Sequence, residues 1–143
     1  MSLTEAQKVE VRATMNAYGT AYRKKDIQGM LAIFSPEICG YGSGPDEVIR
    51  GREDFLRQIR RDMSQADVLA VEFTDTKISG EGRVAWVVTR SSITFAVGGA
   101  AKQTMHGRST MVLRNTGSRW LIEQIHFSMP YGGQSTGQSF PGA

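Results

Sequence analysis

Apolar residues recur at helical spacing in three segments of the first half of the chain. From Thr4 to Lys24 the spacing predicts a helix with one shared face, formed by Val11, Met15, Tyr18 and Tyr22. Thr4, with Gln7 three residues later, fits a capping box at the start of this helix. Two further segments predict helices: DIQGMLAIF, with Asp26 as its N-cap, a short second helix, and GREDFLRQIRRDMSQA, from Gly51, a third.

The period changes from helical to alternating at about residue 68. Four segments rich in β-branched and aromatic residues predict strands: DVLAVEFTDTKIS, VAWVVTRSSITFAV, KQTMHGRSTMVLR and WLIEQIHFSMP. The turns between them, GEGR, GGAA and NTGS, are short and contain glycine, so neighbouring strands are expected to run antiparallel. A shorter strand is predicted at Ile38–Tyr41, after Pro36 has ended the second helix.

Three helices followed by a run of strands predict an α+β fold, in which the helices cover one face of a curved sheet. The 143 residues suit a single domain, which we assign to residues 1–130. The tail at 131–143, YGGQSTGQSFPGA, contains few large apolar residues. It is predicted to be flexible, or to lie as an arm on a second copy of the chain.

Charge and cysteine content narrow the classes of function. The net charge is +3, and the longest basic run, RQIRRD, has no interleaved aromatic residues, so no nucleic-acid partner is expected. No apolar run reaches the roughly 18 residues of a membrane span, and the N-terminus is too polar for a secretory signal. The protein is therefore expected to be cytoplasmic, without a membrane partner. Cys39, the only cysteine, is expected to be buried.

No metal site and no cofactor are predicted. Only His106 and His126 supply imidazole, and neither forms a pair with Cys39 at metal-site spacing. No glycine motif follows a predicted strand in the way that a phosphate-binding loop requires.

Two adjacent carboxylates, Asp46 and Glu47, lie in the glycine-rich stretch GYGSGPDEVIRG. Neighbouring side chains of an extended segment point to opposite sides, so at most one of them faces a pocket. Gly44, Pro45 and Asp46 are typical of a turn, and acidic residues near the start of a helix are stabilised by its dipole. A turn is the preferred interpretation, and an acid–base role stays open.

The segments NAYGTAYRKKDIQGMLAIF, GYGSGPDEVIRGREDF and SRWLIEQIHFSMP resemble the nuclear transport factor 2-like superfamily. They are most similar to its SnoaL-like branch, which resembles the association domain of calcium/calmodulin-dependent protein kinase II. The resemblance implies a cone-like, ketosteroid isomerase-like fold: a mixed or antiparallel sheet wrapped around the N-terminal helices (a cystatin-like roll). It also implies a ligand pocket inside the cone and a homodimer. Because this fold hosts both enzymes and binding modules, the resemblance specifies fold better than function.

Ketosteroid isomerase, a relative in this superfamily, uses a carboxylate base together with a tyrosine and a neutral carboxylic acid. An ungapped alignment places the tyrosine on Tyr18, the base near Gly42 and the acid near Thr110. The last two positions carry no carboxylate, so isomerisation by that mechanism is not predicted.

The resemblance also implies which strand positions face the pocket. It places Trp86, Val88 and Arg90 inside the cone, together with the face of the last strand that carries Glu123 and Phe127. An arginine fork there would bind a carboxylate, and a buried Glu would act as an acid or base. The alternative is a structural Arg90–Glu123 ion pair. The candidate catalytic residues are Glu123 and Tyr18, and the predicted ligand pocket consists of Tyr18, Phe55, Trp86, Arg90, Glu123 and Phe127.

The opposite faces of the last two strands carry a second polar set, formed by His106, Arg108, His126 and Ser128. If Arg108 pairs opposite His126, these side chains form one cluster. A histidine in such a cluster titrates near neutral pH. The preferred interpretation is a hydrogen-bonded network at a dimer face.

Two classes of function follow from these observations. The first is binding of a small, largely apolar ligand in the cone, without catalysis or with chemistry that the residues do not identify. The alternative is a small-molecule isomerase, cyclase or dehydratase that acts on a carbonyl-bearing substrate by acid–base catalysis. The missing carboxylates at Gly42 and Thr110 favour the first class.

Overall fold

The α+β order predicted from the sequence is confirmed by a computed structural model that describes all of residues 1–143. The helices are α1 (Glu5–Lys24), α2 (Ile27–Ile33) and α3 (Arg52–Gln65). Two strands precede α3, namely β1 (Phe34–Tyr41) and β2 (Val48–Arg50). Four long strands follow it: β3 (Asp67–Glu81), β4 (Val84–Ala96), β5 (Gln103–Asn115) and β6 (Trp120–Ser128). None of the helices has the length and apolar character needed to cross a bilayer.

The predicted capping residues start α1 and α2. The Thr4 side chain accepts a hydrogen bond from the Gln7 N–H at 3.1 Å, and the Gln7 side chain accepts one from the Thr4 N–H at 2.9 Å. The capping box is therefore confirmed. The Asp26 side chain accepts a hydrogen bond from the Gly29 N–H at 2.9 Å, which satisfies a donor in the first turn of α2.

The first strand begins earlier than the predicted Ile38. It starts at Phe34 directly after α2, so Pro36 lies inside the strand. The pairing of β1 with β6 is irregular between Phe34 and Cys39. A proline is tolerated there because this stretch does not require every backbone donor for the ladder.

The six strands form one mixed sheet in the order β2-β1-β6-β5-β4-β3. The β1 and β6 strands are parallel, and all other neighbours are antiparallel. Register shifts interrupt three of the ladders, and such bulges bend and twist the strands that contain them. The result is the expected curved, unclosed sheet. We call the side that packs against the helices its inner face and the other side its outer face.

The main hydrophobic core lies between the helices and the inner face. Val11 and Met15 of α1 are fully buried, as the helical spacing predicted, and Phe55 and Ile59 of α3 are buried against them in the same cluster. Phe34 is only 1% exposed, and its ring lies 4.2 Å from that of Phe55 between centroids.

The inner face of β4 is the opposite of the predicted one. Ala85, Val87, Thr89 and Ser91 are buried, whereas Trp86 is 47% and Val88 is 57% exposed. The prediction that Trp86, Val88 and Arg90 lie inside the cone is therefore wrong. Both faces of β4 carry apolar residues, so alternation alone does not decide which face meets the helices. The buried hydroxyls are satisfied, because Ser91 hydrogen-bonds Ser109 at 2.7 Å and Thr89 hydrogen-bonds Thr76 at 2.7 Å.

A bulge in β6 accounts for the position of Glu123. Leu113 pairs with Ile122 and Val112 pairs with Gln124, so Glu123 is an extra residue that has no partner in β5. One extra residue reverses which side chains point inward beyond it. Glu123 therefore lies beside Arg114, whose Nε donates to its Oε1 at 2.8 Å. The predicted Arg90–Glu123 ion pair is not formed, and Arg90 lies instead 3.6 Å from Asp75.

Two further expectations concern exposed parts of the chain. Cys39 is exposed rather than buried, because its position in β1 faces outward where it pairs with Gln124.

The tail at 131–143 contains no helix or strand, and its turns are held by its own hydrogen bonds, such as those of the Gln134 amide with the Gln138 and Ser139 carbonyls. The role of the tail as an arm stays a prediction.

Candidate functional site

A cavity of about 310 Å³ lies between the inner face of the sheet and the helices α1 and α3. Hydrophobic residues make up 17 of the 25 that line it. This volume is at the lower end of the range for small-molecule sites. The aromatic residues of its walls are Tyr18, Tyr22, Tyr41, Phe55, Phe73, Phe95 and Phe127.

The cavity contains only part of the predicted pocket. Three residues assigned to that pocket, Tyr18, Phe55 and Phe127, line the cavity. Trp86 and Arg90 lie on the outer face of β4, and Glu123 lies outside the cavity with Arg114. The two charged side chains expected to bind or activate a ligand are therefore absent from the cavity wall.

A different polar cluster occupies one end of the cavity. Asp62 and Gln58 lie one helical turn apart on α3, and Tyr18 and Tyr22 lie one turn apart on α1, so each pair shares a face. The Tyr22 hydroxyl donates to Asp62 Oδ2, and Gln58 Nε2 donates to Asp62 Oδ1 at 2.7 Å. The Asp62 carboxylate is thus held by one donor from each helix.

The loop between β1 and β2 contributes a second carboxylate to this cluster. Glu47 Oε1 accepts a hydrogen bond from Gln58 Nε2 at 3.0 Å, and its Oε2 accepts one from the Gly44 N–H at 2.9 Å. A side chain at Gly42 would overlap the Glu47 carboxylate, so glycine at this position leaves room for it. Asp46 points outward and pairs with Arg61 at 2.7 Å.

The stretch GYGSGPDEVIRG therefore contains both a turn and a cavity residue. The turn occurs at Pro45 and Asp46, as preferred, while Glu47 faces inward. The expectation that at most one of the two carboxylates faces a pocket agrees with this placement. Both acids contact the middle of α3 at Gln58 and Arg61, rather than its start.

Burial is the main cause of the pKa shifts of the ionisable groups in the polar cluster. Desolvation raises the pKa of the Asp62 carboxyl above its ordinary value, and the hydrogen bonds from Tyr22 and Gln58 oppose that rise only in part. Desolvation also raises the pKa of the Tyr18 and Tyr22 hydroxyls. Outside the cavity, the hydrogen bonds from Arg61 lower the pKa of Asp46.

The Tyr18 hydroxyl is the free hydrogen-bonding group of the cluster. Its ring packs 5.2 Å from that of Tyr22 and 5.8 Å from that of Phe34 between centroids, which holds it in place. No residue of the chain hydrogen-bonds this hydroxyl. Since every fully buried side-chain polar atom has a hydrogen-bond partner, the Tyr18 hydroxyl is not fully buried. The hydroxyl therefore opens onto the cavity, where a ligand group would meet it.

The ungapped alignment with ketosteroid isomerase places its base and acid at positions that do not supply acid groups. Gly42 lines the cavity but carries no side chain. Thr110 is exposed on the outer face, and its neighbour Ser109 faces the cavity instead.

The second polar set does not form one cluster. Arg108 pairs with Ser128 and Thr110 pairs with His126, so the expected pairing of Arg108 opposite His126 is off by two residues. His106 Nδ1 lies 3.1 Å from the Ser92 hydroxyl, and it does not line the groove on the outer face that Arg108, His126 and Ser128 share. The His126 ring packs against Tyr41 with centroids 5.5 Å apart.

The sequence contained one signal for the residues that were missed. Gln58 and Asp62 are polar residues on the same face of α3 as Phe55 and Ile59, and polar residues within an apolar stripe indicate a buried site. Tyr22 had been placed on the apolar face of α1 by its helical spacing but was not assigned to the pocket, and Glu47 carried no comparable signal. No group of three or more His, Cys, Asp or Glu side chains is arranged to hold a metal ion.

A family model described as a SnoaL-like domain matches residues 11–132 of the chain. No curated protein matches it in sequence. A solved structure of a nuclear transport factor 2-like superfamily protein from Salmonella enterica is 20% identical. It superposes with a TM-score of 0.81 over 96% of this chain and 100% of that one.

Two other solved structures show the same fold. A protein from Streptomyces avermitilis, provisionally named a dehydratase of the nuclear transport factor 2-like family, is 18% identical, with a TM-score of 0.78 over 90% of this chain and 99% of that one. A protein from Xanthomonas campestris, provisionally named a calcium/calmodulin-dependent protein kinase II association domain, is 17% identical. Its TM-score is 0.73 over 86% of this chain and 87% of that one. These low identities establish a shared fold only.

Proposed function

The chain belongs to the SnoaL-like domain family, and from that premise we propose that it binds a small, largely apolar ligand in the cavity between the sheet and the helices. The observation that carries this proposal is the distribution of polarity in the cavity. Its walls are mostly apolar and aromatic, and its charged groups, Glu47 and Asp62, belong to one hydrogen-bonded cluster with Gln58. Such a cavity binds the body of a ligand by burial and orients its polar group.

The aromatic walls supply most of the affinity in this proposal. A ligand with the area of one aromatic side chain would bury about 150–250 Å², which at about 25 cal/mol per Å² corresponds to roughly 4–6 kcal/mol before the cost of association. The Tyr18 hydroxyl is free to hydrogen-bond a carbonyl or hydroxyl group of the ligand. A bicyclic alcohol such as naphthylmethanol has the required size and polarity.

Filling the cavity is expected to abolish this binding. Ile93 lines the cavity, so Ile93→Trp places an indole in the space that the ligand would occupy. We expect calorimetry to show that naphthylmethanol binds the wild-type protein and binds Ile93→Trp at least about tenfold more weakly, a loss of about 1.4 kcal/mol.

The matched control is Thr94→Trp, because Thr94 is the next residue of β4 and faces outward, where it hydrogen-bonds Thr104. It adds the same side chain outside the cavity and is expected to leave the affinity unchanged. Equal affinity of the wild type and Ile93→Trp would contradict binding in the cavity. Thermal unfolding of both variants verifies that they are folded.

A second function that we propose is acid–base catalysis on a carbonyl-bearing ligand, because the Asp62 carboxyl and the free Tyr18 hydroxyl both line the cavity and both neighbour Tyr22. A carboxylate with a raised pKa is a stronger base than an ordinary one. In this mechanism Asp62 removes a proton from the carbon next to the ligand carbonyl. The Tyr18 hydroxyl donates a hydrogen bond to the enolate oxygen that forms. Asp62 thus takes the role that the sequence predicted for Glu123.

We also propose that the chain forms a homodimer through the outer face of the sheet. Val84, Trp86 and Val88 occupy alternate positions of β4 and are 40%, 47% and 57% exposed, so they form one apolar row on that face. Apolar rows of this kind are commonly buried against a symmetric copy. The groove that contains Arg108, His126 and Ser128 lies on the same face.

A lysine in this row is expected to dissociate the dimer. Val88→Lys would place a charge in an apolar interface, where burial without a partner is unfavourable. The control is Val9→Lys, because Val9 is similarly exposed, at 68%, but lies on α1. Analytical ultracentrifugation is expected to show dimers for the wild type and Val9→Lys, and monomers for Val88→Lys. A wild-type protein that sediments as a monomer would overturn the proposal.

A further inference from the structure

The charged residues of the cavity are all acidic. Glu47 and Asp62 are the charged members of its lining, and no Lys, Arg or His lines it. Arg61 stands just outside and pairs with Asp46 and Glu47 at 2.7 Å and 3.4 Å, which compensates the charge of Glu47 in part. No cationic side chain pairs with Asp62, whose hydrogen-bond partners are the neutral groups of Tyr22 and Gln58.

An ionised carboxylate in this position lacks its usual counter-charge. Buried charges in proteins are normally paired with an opposite charge, because desolvation of an isolated ion is costly. Donors from a phenol and an amide occupy one acceptor site on each oxygen of Asp62 but carry no charge. The Arg61 guanidinium attracts this carboxylate without forming an ion pair with it. A positively charged group of a ligand would supply the missing partner.

The aromatic rings around Asp62 favour the same kind of ligand. The Tyr22 hydroxyl donates a hydrogen bond to the carboxylate. Between ring centroids, Tyr18 lies 5.2 Å from Tyr22, and Phe73 lies 6.4 Å from Tyr18. The faces of aromatic rings carry partial negative charge and attract cations, most strongly where water is excluded. The carboxylate and the aromatic rings therefore both favour a positively charged group at this end of the cavity. An anionic ligand would meet two carboxylates and no cation.

We propose that the ligand of the cavity is a lipophilic amine, whose ammonium group pairs with Asp62 beside Tyr18 and Tyr22 and whose apolar body contacts the aromatic walls. This inference rests on the ligand-binding proposal and is independent of the acid–base one. It replaces the carboxylate ligand that Arg90 would have selected, since Arg90 is outside the cavity.

The test compares three naphthalene compounds of nearly equal size: naphthylmethylamine, which is cationic at neutral pH, neutral naphthylmethanol and anionic naphthoate. Calorimetry on the wild-type protein is expected to give at least tenfold tighter binding of the amine than of the alcohol. Naphthoate is expected to bind at least tenfold more weakly than the alcohol. In Asp62→Asn the amine should lose its advantage and bind within about threefold of the alcohol, because the charge is removed and the shape is kept.

Glu123→Gln is the matched control, since it removes a carboxylate outside the cavity and should leave all three affinities unchanged. If the alcohol binds the wild type as tightly as the amine, the amine proposal is overturned while ligand binding stands. If no compound binds, both proposals fail. Because the comparison of amine with alcohol uses the wild-type protein, the inference is decided even if Asp62→Asn does not fold.

Discussion

Replacing Gly40 by alanine is expected to destabilise the protein by about 3–5 kcal/mol, a loss at the upper end of what single substitutions cause. Gly40 has φ of +148° and pairs with Ile125 where β1 joins β6. An added Cβ would overlap the Ile125 carbonyl oxygen, which is backbone and does not move aside. The overlap is relieved only if the parallel strands β1 and β6 move apart. Their ladder joins β1 and β2 to the rest of the sheet, so its loss weakens the whole edge.

Gly51→Ala separates steric overlap from backbone strain. Gly51 also has a positive φ, +91°, but a Cβ there would meet no atom within 4 Å. Only the conformational cost of a backbone region that favours glycine, about 1–3 kcal/mol, is expected at this position. Urea denaturation of both variants measures the difference, and equal losses would show that the β1–β6 contact is not tight. Ile125 and Tyr41 line the cavity, so Gly40→Ala is also expected to weaken ligand binding.

Asp62→Asn is expected to slow the proton abstraction that we propose for the cavity by about 10²–10⁴-fold. The probe is β-tetralone, an apolar bicyclic ketone whose size fits the cavity. In deuterated buffer the protein should catalyse exchange at the carbon next to the carbonyl. There the C–H bond breaks, Asp62 takes the proton, and deuterium from solvent replaces it. Asparagine keeps the shape of the side chain but has no basic oxygen, so nuclear magnetic resonance should show exchange near the uncatalysed rate.

Glu123→Gln distinguishes this assignment from the one that the sequence favoured. It makes the same acid-to-amide change at a carboxylate that pairs with Arg114 outside the cavity, and it is expected to leave the exchange rate unaltered. Tyr18→Phe should lower the rate without abolishing it, because it removes only the donor to the enolate oxygen. Full exchange activity in Asp62→Asn would exclude Asp62 as the base.

The residues of the site that the sequence predicted are Tyr18 on α1, Phe55 on α3 and Phe127 near the end of β6. Tyr18 and Phe55 follow from helical spacing together with the family resemblance, and Phe127 follows from strand alternation together with the same resemblance. Asp62 could have been predicted from the sequence, since it interrupts an apolar stripe on α3. Glu47 was not, because its position depends on how the loop returns across Gly42 and Gly44 to reach Gln58.

The sequence by itself determined the helices, the capping residues of α1 and α2, the alternation of the long strands and hence the α+β fold. Each of these depends on interactions between residues close in the chain, so a local pattern records it. The tertiary structure alone decided which face of β4 meets the helices, and it placed Glu123 outside the cavity by a single extra residue in β6. Side-chain direction in a strand has a period of two, so alternation defines two faces without saying which is buried, and one inserted residue exchanges them. The cavity carboxylates are therefore Glu47 and Asp62, which two separate elements bring to the same amide of Gln58.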